Sequence, residues 1–261
     1  MILFKSFYFT FNGRSSKEFQ LKIVNIGSTK SRPFGWERTL ETEMNHTLVP
    51  TFKGTKVGTL KQTITLMKAN ATQPLPISED EKFEIIRWLF QDEFKPFISD
   101  ENKDLIYYVM FTKGSGYQNG LKEGYFELEM EFNAPFAFTP ILNHPLLVRD
   151  RVETEITYRS NVQPYLEPDI EFKLSSQSTW IEILNQTTGD CVRFENLPPN
   201  AHIYIYNEGL KQCVMVDDHS YNLRPHFNKQ WLRLAYGVNH LTIQSPEAMI
   251  NIMGQSKIAI T

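Results

Sequence analysis

Cysteine, long apolar runs and an excess of one charge are all scarce in this sequence. Only two of its 261 residues are cysteines, Cys191 and Cys213, whereas a small secreted domain framed by disulfides would carry more. We therefore expect two buried free thiols in a chain that assembles in a reducing cytosol. No apolar run approaches the roughly 20 residues that span a bilayer, and the first five residues lack a signal-peptide pattern, so no membrane partner is expected.

The charges are nearly balanced, with 27 Lys and Arg against 30 Asp and Glu and a formal net charge of −3. A surface that holds nucleic acid or anionic lipid is strongly basic, so neither is an expected ligand. The chain is 41% hydrophobic and 13% aromatic, which is too apolar for a disordered protein. A chain of this length buries enough apolar surface to fold without disulfides or metal, as one large domain or two ordinary ones.

The sequence also lacks the motifs of common catalytic sites: it has no Cys-x-x-Cys, no histidine pair at helical zinc spacing and no Gly-x-Ser-x-Gly elbow. Residues 54–58 have three residues between two glycines where a phosphate loop needs four, which predicts a loop between strands. Asp217-Asp218-His219 follows an apolar strand and predicts a solvated turn. We therefore predict that the chain is not an enzyme and has no catalytic, metal-binding or cofactor-binding residue and no cofactor; its binding residues stay unknown.

Strand patterns are present from end to end. Phe126, Leu128, Met130 and Phe132 alternate with glutamates, which predicts a strand with one buried and one wet face. A glycine-rich stretch, 114–120, predicts the turn before this strand. Near the start, the alternating phenylalanines at positions 7, 9 and 11 share one face, and Asn12-Gly13 then predicts a hairpin turn.

One helix is predicted near 78–94. Ser78 and Glu81 have capping-box spacing, in which each side chain satisfies a free backbone N–H of the first turn. Phe83, Ile86 and Phe90 share one face, with Leu89 widening it, and this face is expected to pack against a sheet.

The composition of the sequence changes after residue 133, where prolines recur at positions 135, 140, 145, 164 and 168. From Pro168 onward, short strands separated by turns recur at intervals of about ten residues, which is typical of a β-sandwich. We divide the chain into residues 1–140, a β-rich domain with one helix, and residues 141–261, a β-sandwich. Trp180, Trp231 and the pair Tyr204 and Tyr206 either fill a core or an interface, or stack on sugar rings.

Several segments, in this order, resemble the distal tail proteins of siphophages that infect Gram-positive bacteria. The start resembles that family's N-terminal hairpin, the end of the first half its strand before a proline and an aromatic residue, and the second half its galectin-like domain. The resemblance spans nearly the whole chain, and residues 30–75 match least. The segments are FTFNGRSS (9–16), IVNI (23–26), EFNAPF (131–136), PDIEF (168–172), IEILNQTTGD (181–190), FENL (194–197) and WLRLAYGVNHLTI (231–243).

The resemblance implies a mainly β fold in which an N-terminal β-barrel or sheet-type ring domain with one α-helix precedes a galectin-like β-sandwich. It implies a hexameric ring at the tip of the phage tail, assembled in the host cytoplasm. The implied partners are copies of the chain itself, the tail tube protein, the tail-associated lysin or tip protein, and receptor-binding or baseplate proteins, while DNA passes the channel without specific binding. The alternative function is a carbohydrate-binding module that recognises host wall glycans, with Trp180 and Trp231 as candidate contacts.

Overall fold

The computed structural model describes residue 4 and residues 6–24, 38–44, 49–70, 73–118, 124–207 and 209–259. They form two compact units: unit 1 runs to Phe138 and includes Ala259, and unit 2 is Thr139–Ile258. Most of these residues lie in strands and they contain one α-helix, so the predicted mainly β fold is confirmed. The predicted division after residue 140 lies close to this one. No helix in the described ranges has the length and apolar character needed to cross a membrane.

Unit 1 is built on one large antiparallel sheet with the strand order β2-β1-β8-β9-β10-β6-β3, and β7 pairs with β6. Helix α1 (Glu79–Leu89) lies between β7 and β8 in the chain, and a short 3₁₀ helix spans Ser16–Phe19. The strands are β1 (Phe9–Phe11), β2 (Arg14–Ser15), β3 (Leu21–Ile23), β4 (Arg38–Glu43), β5 (Thr51–Val57), β6 (Lys61–Asn70), β7 (Gln73–Pro74), β8 (Lys95–Ser99), β9 (Tyr107–Gln118), β10 (Gly124–Phe132) and β11 (Phe136–Phe138).

The first hairpin follows the sequence prediction except at Phe7. Phe9 and Phe11 are fully buried in β1, and Asn12 and Gly13 both have positive φ, 48° and 76°, as a two-residue hairpin turn requires. Phe7 precedes the strand and is 57% exposed. The prediction that it shares one strand face with Phe9 and Phe11 was wrong, because the strand begins only at Phe9.

Strands β9 and β10 form the predicted antiparallel pair. Leu128, Met130 and Phe132 are buried on one face of β10, which confirms the alternation. Gly114 and Gly116 lie within β9 and pair with Leu128 and Phe126, so their assignment to a turn was wrong. The tip between the strands, residues 119–123, lies outside the described residues.

Helix α1 begins as predicted but is shorter and turns a different face to the sheet. Ser78 is its N-cap, and Ser78 and Glu81 form both bonds of the capping box. The helix ends at Leu89, before the predicted end at 94, because Phe90 is already extended. Its buried residues are Ile85, Trp88 and Leu89.

Trp88 explains this orientation. Its ring stacks on those of Phe9 and Phe19, with centroids 5.8 and 5.1 Å apart, and its Nε1–H donates to the Phe11 carbonyl oxygen at 2.9 Å. A buried indole needs a partner for its N–H, and β1 supplies it. Phe83, Ile86 and Phe90 stay exposed by 71%, 54% and 39%, so the prediction that this face packs on the sheet was wrong.

Unit 2 is the predicted β-sandwich, organised by two very long paired strands, β12 and β20. One half of β20 pairs with β15 and the other half with β14, while β12 follows it throughout. The strands are β12 (Leu142–Tyr158), β13 (Tyr165–Leu166), β14 (Asp169–Leu174), β15 (Ile181–Asn185), β16 (Cys191–Phe194), β17 (His202–Tyr206), β18 (Gln212–Met215), β19 (Leu234–Ala235), β20 (Gly237–Gly254) and β21 (Lys257–Ala259).

The β12–β20 pair bends in its middle and thereby supplies strands to both layers. Its register shifts between Arg149 and Asp150, Asp150 has a φ of 59°, and Pro246 is the extra residue on β20. Proline has no N–H to donate, so it is tolerated at such a bulge. Phe172 of one layer and Phe194 of the other then meet in the core, with ring centroids 5.4 Å apart.

Candidate functional site

The described residues contain no cluster of three or more His, Cys, Asp or Glu side chains that could hold a metal ion. Asp217, Asp218 and His219 lie in an exposed turn, in which the Asp218 carboxylate accepts from the Ser220 amide at 3.0 Å. Residues 54–57 belong to strand β5, so the prediction of a loop there was wrong. At these positions the structure assembles no cluster of metal-binding or catalytic side chains. The candidate functional sites described below are therefore surfaces.

The first such surface is the two-stranded ribbon formed by β4 and β5, which pair with each other in a sheet of their own. Paired residues share a face, and the register places Leu40, Phe52 and Val57 on one side, beside two threonines and with Arg38 at one end. The three apolar side chains are 65%, 62% and 49% exposed. We call this side the ribbon face.

The opposite side of the ribbon is charged. Lys53 Nζ lies 2.6 Å from Glu43 Oε2, and Lys56 pairs with Glu41. Each of the two glutamates is thus ion-paired with a lysine of β5. The ribbon is therefore amphipathic, although its apolar side packs into no buried core of unit 1 among the residues that the structure describes. In a lone soluble chain, an apolar sheet face of this kind is normally covered.

The second surface is a groove of about 820 Å³ between helix α1 and the outer ends of β9 and β10. Ile86, Leu89 and Phe90 line its helix side, and Phe126 and Leu128 line its sheet side. Most of its lining is apolar, and Lys82, Lys113, Glu127 and Glu129 are also among the residues that border it. We call this the helix groove.

Gly114 keeps the helix groove open. A Cβ atom at this position would lie 3.0 Å from the Phe90 ring and 3.2 Å from a Leu128 methyl group, closer than packed carbon atoms approach one another. The two glycines of β9 thus leave a trough where side chains would otherwise stand. Two features of the sequence pointed to this groove, namely the glycine stretch and the helix face formed by Phe83, Ile86 and Phe90. From the sequence, however, the first was predicted to be a turn and the second to pack against a sheet.

In unit 2 the two tryptophans considered for sugar stacking from the sequence are both partly buried. Trp231 packs against the buried core, edge-on to the Phe227 ring at 5.2 Å, and is only partly exposed. Trp180 is likewise partly buried, and its carbonyl oxygen accepts from the Ser245 hydroxyl. Tyr204 and Tyr206 lie elsewhere, as a pair on β17 with ring centroids 4.4 Å apart.

The segment that carries Trp231 is tied down by polar contacts. Asn207 and Asn185 donate to the Leu232 and Arg233 carbonyl oxygens at 2.6 and 2.7 Å. The Arg233 guanidinium meets the Asp190 carboxylate in two hydrogen bonds of 3.0 and 2.8 Å. Burial would raise the pKa of Asp190, but the bonds from Arg233 and Thr188 outweigh it, and the pKa lies below its ordinary value.

We expect Asp190→Asn to lower the free energy of unfolding of unit 2 by about 2 kcal/mol at pH 7, because charge-assisted hydrogen bonds are lost. A carboxyl group whose folded pKa is depressed contributes stability above its unfolded pKa and loses it as the pH falls through the folded one. The difference between wild type and variant should therefore shrink as the pH falls below about 4. Urea unfolding from pH 7 to pH 3 measures this, with the exposed Asp217→Asn as control. A difference that is constant over this range would contradict the assignment.

The two cysteines are free and partly buried. Burial raises the pKa of the Cys213 thiol to about 12 and, together with the nearby Glu182, raises that of Cys191. Neither thiol is activated as a nucleophile, and both are partly exposed where they were expected to be buried.

Two family models match this chain. The phage tail protein N-terminal domain matches residues 4–134, and the phage tail C-terminal domain matches residues 136–253. No curated protein sequence matches it.

Among solved structures, the crystal structure of the SPP1 Dit (gp 19.1) protein matches with a TM-score of 0.61 at 10% sequence identity, over 95% of this chain and 98% of that one. It is described as a paradigm of the hub adsorption apparatus in phages that infect Gram-positive bacteria. Two structures of the phage P2 baseplate in its activated conformation, with Ca and with Sr, match at 10% identity with TM-scores of 0.47 and 0.44. They cover 94% and 90% of this chain and 97% and 90% of the matched chains. The match to the SPP1 Dit protein shows the fold of this chain. It confirms the expected resemblance to distal tail proteins at the level of the fold.

Proposed function

We propose a function from one premise, namely that this chain belongs to the phage tail protein family. We propose that it is a structural component of the tail tip or baseplate, a hub that closes into a ring and joins other tail proteins. The observation that carries the proposal is that unit 1 exposes two different apolar surfaces, the ribbon face and the helix groove. Uncovered apolar patches of this kind mark sites of protein association.

The difference between the two surfaces supports a ring. The ribbon face presents Leu40 and Phe52 on a narrow two-stranded element, and the helix groove is a trough, so neither surface is complementary to itself. A contact between unlike surfaces repeats head to tail, and it forms a closed ring when the rotation between neighbours closes. We propose that the ribbon face of a second copy occupies the helix groove, because each copy has one ribbon face and one groove.

The resemblance to distal tail proteins supports six copies in the ring and sets the proposed surroundings. Unit 1 would surround a channel, and unit 2, the galectin-like domain, would project outward. One side of the ring would meet the tail tube protein and the other the tail-associated lysin or tip protein, with receptor-binding or baseplate proteins at the periphery. The ring would be assembled in the host cytoplasm and end in the virion. With a net charge of −3, the chain would let DNA pass without specific binding, since such binding relies on neutralising phosphates.

Mass and shape test the proposal. One chain weighs 30.5 kDa, and we expect light scattering of the purified protein at micromolar concentration to give a mass near six times this value. Negative-stain images should then show annular particles. The mass of a single chain at every concentration tried, without annular particles, would refute ring formation.

A further inference from the structure

The outer face of one sheet of unit 2 carries side chains in aligned rows. Because paired residues in antiparallel strands project to the same side, the register of β12, β20, β14 and β17 groups them directly. Ile170, Phe172, Ile250 and Ile203, which alternate with them, are buried in the sandwich, so the rows face outward. One row is Leu147, Met249, Lys173 and His202, and the next is Pro145, Asn251, Glu171 and Tyr204.

The polar members of these rows hold one another in place. His202 Nε2 lies 2.8 Å from Glu171 Oε1, and the Tyr204 hydroxyl lies 3.5 Å from Asp169 Oδ2. The Asn251 Oδ1 atom is buried beside Glu171 and accepts no hydrogen bond from any described residue. A buried acceptor left without a donor is unfavourable, and a turn of the Asn251 side chain toward the neighbouring cleft would let this oxygen accept from a ligand hydroxyl group.

A shallow cleft of about 490 Å³ runs over these residues. Met249 and Leu147 form its apolar part and are 59% and 52% exposed, which is unusual for the outer face of a sheet that meets only water. Glu171, His202 and Asn251 form its polar part. Small-molecule sites have this composition, an apolar lining with a few positioned polar groups, at volumes of roughly 300–1,000 Å³.

The polar groups define the ligand. Glu171 accepts hydrogen bonds, Lys173 donates them, and Asn251 does both, so they suit neighbouring hydroxyl groups, each of which donates and accepts. The Glu171 carboxylate and the Lys173 ammonium group lie in adjacent rows and balance each other's charge. The cleft therefore favours an uncharged ligand. Met249 and Leu147, the exposed apolar side chains of the cleft, offer contacts to the C–H groups of a pyranose. We infer that this face binds a neutral saccharide through Asn251, Glu171 and His202, at a place distinct from the tryptophans considered from the sequence.

The full chain and a fixed set of probes test this inference. Saturation-transfer NMR would be recorded with lactose, cellotriose, maltotriose and chitotriose as neutral probes and with trigalacturonic acid as a charged one. We expect transfer to at least one neutral probe and none to the charged probe. Asn251→Ala and Glu171→Gln should each weaken the affinity for the bound probe at least tenfold with unchanged thermal unfolding, since sites built to hydrogen-bond a hydroxyl group depend strongly on those bonds.

Glu182→Gln is the matched control, because Glu182 lies on β15, in the other layer of the sandwich, and pairs with Arg193. It should bind the probe as the wild type does. Absence of transfer from the wild-type chain to every neutral probe would overturn the inference and would be the result if this face receives another protein instead. Equal affinity of Asn251→Ala and Glu182→Gln would overturn it as well. Neither outcome bears on ring formation, which depends on unit 1.

Discussion

Leu40→Glu combined with Phe52→Glu should lower the mass of the particle from that of six chains to that of one, 30.5 kDa. Both side chains lie on the ribbon face and are 65% and 62% exposed in the single chain, so the double variant should fold normally. In the ring the new carboxylates would be buried in an apolar contact without partners, at a cost of several kcal/mol for each charge. Light scattering measures the mass.

Thr39→Glu is the control on the opposite, charged side of the same ribbon, and it should leave the mass of the ring unchanged. Ile86→Glu places a carboxylate in the helix groove and should also give single chains. An equimolar mixture of the ribbon and groove variants keeps one intact junction per pair, so it should form dimers with twice the mass of one chain, but no rings. A double variant that keeps the wild-type mass would refute the ribbon face as a ring contact.

Trp88→Ala should lower the free energy of unfolding of unit 1 by about 3–5 kcal/mol. The indole is 6% exposed, contacts the rings of Phe9, Phe11 and Phe19, and makes a hydrogen bond to β1. Its removal leaves a cavity and removes the hydrogen bond from the helix to β1. Trp88→Phe keeps part of the packing and loses the N–H donor, so it should cost less.

Phe83→Ala on the same helix is the matched control and should change stability by no more than about 0.5 kcal/mol, because Phe83 is 71% exposed. All three variants would be made in the ribbon double variant, so that assembly does not contribute to stability. Urea unfolding, with hydrogen exchange of β1 and β8 amides to isolate unit 1, gives the values. A larger loss for Phe83→Ala than for Trp88→Ala would mean that the helix packs by its other face.

The helix shows where sequence reasoning succeeds and where it stops. The capping box of Ser78 and Glu81 was predictable because it depends on residues close together in the chain and on no distant partner. The buried face was not, because Phe83, Ile86 and Phe90 have the same helical periodicity as Ile85, Trp88 and Leu89. A hydrogen bond from Trp88 to Phe11 in β1, 77 residues away in the chain, selects between the two.

Strands follow the same rule. The alternation of β10, the Asn12-Gly13 turn and the mainly β fold with its sandwich could be predicted, because the two-residue period and turn geometry are local properties. The sequence missed the continuation of β9 through Gly114 and Gly116, because a glycine in a strand is stabilised by its cross-strand partners, here Leu128 and Phe126.

The surfaces on which the proposals rest depend on tertiary structure alone. The register of β4 and β5 places Leu40 and Phe52 on one face, and the pairing of β14 with β20 brings Glu171 beside Asn251, which is distant from it in the chain. The chain by itself determined the start of the helix, the turn of the first hairpin and the alternation of β10, since those choices are made among neighbouring residues. Only folding decided which apolar residues stay outside, because that depends on how much apolar surface the two units can cover.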